Sequence, residues 1–172
     1  YSETRTGLLS IARPLSFALS GPIAGFLAVR VGERTSAVVG STALVASMIG
    51  LAQVGVETSD LLVIGSLALS GVGLGASLPS LAAAVANAVD ESDLGVVGAA
   101  QQMMGQLGVV AGIQILQTVQ QSREAVVGEA QSYGDAYMVG AAVAALAVVC
   151  SLFLTGRTVP EPEPEAEAVG AT

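Results

Sequence analysis

Long runs of small and apolar residues, separated by short polar breaks, organise almost the whole chain. A membrane helix needs about 20 consecutive, mostly apolar residues. Five runs meet that requirement: Leu8 to Val29, Ala37 to Val54, Leu61 to Ala86, Leu94 to Val119 and Ala136 to Leu154. The breaks are Arg30 to Ser36, Gly55 to Asp60, Asn87 to Asp93 and Gln120 to Asp135, and every acid lies in a break or a terminus. A soluble helix keeps a polar face for water, and none of these runs carries a charged one. The pattern predicts an all-α fold, a polytopic transmembrane helical bundle over residues 1–157. The Pro/Glu alternation of residues 158–172 buries too little apolar surface to order itself and reads as a disordered acidic tail.

Composition sharpens this picture. The chain is 52% hydrophobic and only 12% charged, with a mean hydropathy of +0.71. It has no lysine, histidine or tryptophan, and its apolar mass is Ala, Val, Leu and Gly, which suits close helix approach. Half of the net charge of −8 comes from the tail acids Glu161, Glu163, Glu165 and Glu167. Without a basic cluster there is no footprint for nucleic acid. Cys150 stands alone in an apolar run, so no disulfide or thiolate metal site can be built, and it reads as a small packing residue. With no His, no Cys pair and no acid inside a span, an enzyme active site is not expected, nor is a cofactor or metal. The chain begins at Tyr1 without the features of a signal peptide and reads as a piece of a longer protein.

The break after the first run carries a motif. Gly25-Phe26-Leu27-Ala28-Val29-Arg30-Val31-Gly32-Glu33-Arg34 resembles the cytoplasmic loop motif of the major facilitator superfamily, G-x-L-a-D-r-x-G-r-r/k, at Gly25, Leu27, Arg30, Gly32 and Arg34. In that family the motif follows the second helix of each six-helix half. The five runs would then be the second to sixth helices of a C-terminal half, whose partner is the N-terminal half of the same transporter. Gly71 to Pro79 and Gly95 to Gly112 are similar in flavour to the fourteen-span drug:proton antiporter branch. The resemblance implies a bacterial multi-pass plasma-membrane protein performing multidrug efflux by antiport, with a small-molecule substrate and protons as its other partners. The alternatives are a metabolite symporter or uniporter and a non-transporting helical scaffold. One departure is plain: Val29 stands where the pattern has Asp, so a latch on this side must use Arg30 and Arg34, with Asp90, Glu91 and Asp93 as their acids.

Within the runs, Gly21 and Gly25 flank the helix-weakening Pro22, and Gly71, Gly75 and Pro79 mark a packing or hinge segment. Gly98, Gly105 and Gly112 recur every seven residues and drift only about 20° per step, forming one smooth seam. Beside it Gln102 and Gln106 share a polar stripe with Gln117, Gln120 and Gln121, with Gln114 just outside. An amide in hydrocarbon is costly unless bonded, so Gln102, Gln106 and Gln114 are read as lining a substrate path. Arg13, near the end of the first run, belongs either to that path or to the interface, which it reaches by snorkelling.

Overall fold

The computed structural model describes residue 7, residues 9–55 and residues 58–154, with the backbone alone at 27–30. All regular structure among them is helical. Helix α1 spans Ala12–Val31, α2 Glu33–Ala52, α3 Asp60–Ala86, α4 Leu94–Val127 and α5 Glu129–Leu152, with a 3-10 turn at Glu91–Asp93 before α4. Four of them (α2, α3, α4 with its leading turn, and α5) are long and apolar enough to cross a membrane. The tail 158–172 lies outside the described residues.

Two of the expected breaks shrink to single glycines. Arg30 to Ser36 is helical except at Gly32, with φ 88°, and Gln120 to Asp135 is helical except at Gly128, with φ 85°. A Cβ disfavours that backbone region, which explains glycine at both turns. Hydropathy marks where the lipid-compatible run ends, whereas Gln, Arg, Glu and Ala are good helix formers in water. The helix therefore continues until a glycine stops it. With 34 residues, α4 is about 51 Å long against a hydrocarbon core of about 30 Å. Its polar end, Gln120 to Val127, and the start of α5 form a helical hairpin closed at Gly128.

Packing runs through small residues. α3 lies between α1 and α2, α2 also packs on α5, and α5 on α4. A Cβ added at Gly71 would collide with the Arg13 carbonyl oxygen, and one at Gly75 with the Ser20 hydroxyl, so α1 and α3 run in the same direction. On the other face, a Cβ at Gly73 would lie 2.7 Å from Leu44 Cγ and 2.8 Å from the Gly40 carbonyl oxygen. Ser47 Oγ donates to the Ser66 carbonyl at 2.8 Å, so α2 runs antiparallel to α3. The largest fully buried side chains are Ser47, Ser80 and Ser132. Large apolar residues face outward instead: Leu61 is 78% exposed and Val96 72%. This inversion of a water-soluble core is what lipid as solvent permits, because close backbone approach and hydroxyl bonds hold the helices together.

Two sequence expectations change here. The α1 seam runs through Arg13, Phe17, Ser20 and Gly21, while a Cβ at Gly21 or Gly25 would meet nothing within 4 Å. Gly21 contributes its backbone nitrogen to the Gly75 contact, and Gly25 lies off that seam. Cys150 is exposed rather than packed inside, since it sits on the outward face of α5.

Candidate functional site

The antiparallel order places the Gly32 turn, the end of α3 and the start of α4 on one side, and the Gly128 turn with the α2–α3 connection on the other. On the Gly32 side, Ser36 N–H donates to the Gly32 carbonyl at 3.2 Å, closing the first turn of α2. The Asn87 amide Nδ2 donates to Glu33 Oε1 at 2.6 Å, tying the start of α2 to the end of α3. Arg34 is exposed and forms no ion pair with Asp90, Glu91 or Asp93 among the described residues. The side chains of Leu27 and Arg30 lie outside the described ones. The link observed across this side is therefore the acid–amide pair.

Arg13 occupies the first turn of α1 with its side chain exposed. Pro14 follows where its missing N–H costs nothing, and the packed group is the Arg13 carbonyl against Gly71. Pro22 and Pro79 both lie inside helices. Each removes one helical donor and so leaves one carbonyl of the preceding turn free, a local weakness in the ladder.

Helix α4 has no buried residue. Gln102, Gln106 and Gln114 are all exposed, and a Cβ at Gly98, Gly105 or Gly112 would meet nothing within 4 Å. No described helix fills the smooth seam or takes up the three amides. Further along, Leu116 reaches α5, where its Cδ2 would lie 3.6 Å from a Cβ on Gly140.

On the Gly128 side, Arg123 Nε donates to Asp135 Oδ2 at 2.7 Å and closes the hairpin between α4 and α5. Two grooves open beneath it. One, of about 400 Å³, separates the end of α2 from the start of α5 near Gln53, Gln131 and Asp135. The other, of about 300 Å³, lies between α4 and α5 with Gln117, Gln120, Gln121, Tyr133 and Tyr137 on its walls.

Residues 1–171 match the family model for the Major Facilitator Superfamily. The chain belongs to the major facilitator superfamily. It is also similar to the multidrug transporter protein MdtP of Bacillus subtilis (strain 168), at 25% identity over 122 residues. That alignment covers 71% of this chain and 23% of the relative, so the chain spans under a quarter of that protein's length. Superfamily membership and the four long apolar helices make this a multi-pass membrane protein of a transporter family.

Within the superfamily motif, charge has moved. Val29 removes the pattern's acid, and Glu33 places an acid where the pattern has a basic residue. Sequence reasoning looked for arginine partners and passed over Glu33 and Asn87. It also left Tyr133 and Tyr137 aside, although their i, i+4 spacing was a visible sign of a shared helix face. The serines of the packing core, spaced by sevens with glycine at Ser66, Gly73 and Ser80, were equally readable and went unread.

Proposed function

We propose that the chain supplies the second to sixth helices of the C-terminal half of a secondary active transporter in a bacterial plasma membrane, α1 included as a crossing helix. The whole protein exports toxic small molecules in exchange for protons, by rocking this half against an N-terminal half around a central cavity. The observation that carries the reading is the similarity to a multidrug transporter. The exposed amides and bare glycine seam of α4 support it, because such a face in hydrocarbon calls for a protein or water neighbour.

In this reading the Gly32 side, with Arg30 and Arg34, is cytoplasmic. Gln102, Gln106, Gln114 and Arg13 face the substrate path. No acid lies in the apolar stretches, so the group that exchanges the proton belongs to another part of the protein. A metabolite symporter or uniporter built on the same fold is the second reading. The test is expression of the full-length gene in a host stripped of its efflux pumps, scored for resistance to a panel of toxic dyes and antiseptics. Raised resistance to several unrelated compounds supports export. Unchanged resistance to all of them, at normal expression, rejects it.

A further inference from the structure

Arg13 lies too deep in the bundle to be an interface residue. Its carbonyl oxygen is the group that a Cβ on Gly71 would strike, so Arg13 is level with Gly71 of α3. Along the other face of α3, a Cβ on Gly50 would strike the Ser66 hydroxyl, and one on Gly40 the Ser77 hydroxyl. That antiparallel register sets Gly71 opposite about Val45, the middle of the apolar run Ala37 to Val54 on α2. Both α2 and α3 are long and apolar enough to cross a membrane. Arg13 therefore sits near the midplane of a hydrocarbon core about 30 Å thick, about 15 Å from either face. Snorkelling serves arginines close to the membrane surface. The Arg13 side chain is exposed, and at this depth exposure means that the guanidinium leaves the described chain for whatever stands beside α1.

The helices packed against α1 offer nothing to neutralise it. Among the described residues Arg13 has no ion pair. The acid of α3 is Asp60, about 16 Å from Gly71 along the helix. The charged groups of α2 are Glu33 and Arg34, at the far end of the bundle, and the other charge of α1 is Arg30, at the same far end. Every acid of the chain lies outside the apolar runs. A lone guanidinium in hydrocarbon is costly, and membrane arginines at such depths face a protein interior or cavity and are paired there. The group that matches a planar fork of donors at full charge is a carboxylate, gripped through two parallel bonds.

We infer that Arg13 is a mid-membrane carboxylate site, filled by an acid on the half of the transporter that faces α1. A carboxylate carried by a solute is the same chemistry from another source, and the experiment separates the two. The inference rests on the export reading for its role, the release of that acid for proton exchange when the halves rock apart, but not for the pairing itself. Purified full-length protein in detergent is compared with Arg13→Gln and Arg13→Lys. Thermal unfolding is followed from pH 3 to 8, and binding of carboxyfluorescein, a soluble carboxylate, is read by fluorescence anisotropy. An acid beside Arg13 is held ionised, with its folded pKa below the unfolded one. The stability that the pair contributes is then full above the unfolded pKa and is lost as the pH falls through the folded one.

The unfolding midpoint of Arg13→Gln should lie roughly 3 °C below that of the unaltered protein at pH 7, and the gap should narrow below about pH 5. Arg13→Lys keeps the charge without the paired donors and should lose less. Midpoints that coincide at every pH, with carboxyfluorescein bound roughly tenfold more weakly by Arg13→Gln, keep the site and assign its carboxylate to a solute. Coincident midpoints with equal dye affinity overturn the inference. A gap of the same size from pH 3 to 8 also overturns it, because packing alone produces that. If Arg13→Gln does not fold, Arg13→Lys carries the test, with a smaller gap of the same pH form. A pH-dependent gap in a protein that fails to export keeps the pairing and rejects the export reading alone.

Discussion

Asn87 Nδ2 and Glu33 Oε1 meet at 2.6 Å, joining the first residue of α2 to the residue that caps the C-terminus of α3. The pair spans the side on which the motif of the superfamily lies and stands where arginine-to-acid pairing was expected. A carboxylate acceptor makes a stronger bond than a neutral one, though solvent at this surface screens it. A double-mutant cycle with Glu33→Ala and Asn87→Ala in the full-length protein should give a coupling of about 1 kcal/mol in denaturant unfolding. Coupling indistinguishable from zero would mean that the contact contributes nothing to holding this side closed.

The glycines divide into two kinds, and substitution should separate them. Gly73→Ala sets a methyl group against Leu44 and the Gly40 carbonyl, so overpacking should cost about 1–3 kcal/mol. Gly105→Ala meets nothing in the described chain and should leave the unfolding of this bundle unchanged. If Gly105→Ala reduces transport at normal expression, the seam touches another part of the transporter. Unfolding midpoints of both variants, measured beside transport, check this.

The buried serines should also differ from one another. Ser47→Ala removes a bond that crosses from α2 to α3 and leaves the Ser66 carbonyl with only its own helix, at a cost of about 0.5–1.5 kcal/mol. The Ser80 hydroxyl donates to Ala76 O, within α3 itself. Ser80→Ala should therefore be near neutral by the same unfolding measurement.

At the hairpin, Gly128→Ala forces a Cβ into an extended positive-φ conformation (φ 85°, ψ 165°) that essentially only glycine adopts, where the penalty is about 1–3 kcal/mol. Arg123→Ala removes an ion pair whose partners are 50% and 32% exposed, and it should cost less than about 1 kcal/mol. Faster hydrogen exchange over residues 120–135 should appear in Gly128→Ala and be small in Arg123→Ala.

How much of this was legible beforehand follows from what a sequence encodes. Five apolar runs became five helices, four of them long and apolar enough to cross a membrane, because a long apolar run in lipid leaves its backbone no other way to satisfy its hydrogen bonds. Helix ends were less legible. The lipid boundary at Val119 is written in hydropathy, whereas the true end of α4 at Val127 depends on Gly128 and helix propensity in water. On α1 the contact with α3 runs through Arg13, Phe17, Ser20 and the Gly21 backbone, and the open faces of Gly21 and Gly25 meet nothing among the described residues. The Glu33–Asn87 link joins residues 54 positions apart, and no local pattern announces such a pairing. Periodicity puts Gln102 and Gln106 on one stripe with Gln114 just outside it, and all three are exposed on α4. Alanine variants at Gln106 and Arg13 should change which compounds the full-length protein exports, and an unchanged profile would remove both from the path.

The proposed exchange of a toxic solute for protons is measured directly in proteoliposomes holding the full-length protein and a pH-sensitive dye. Ethidium added to vesicles bearing an imposed proton gradient should be transported only while the gradient lasts, with proton movement in the opposite direction and both abolished by an uncoupler. Ethidium movement that is the same with and without the gradient, or proton flux unaffected by the presence of ethidium, would contradict it.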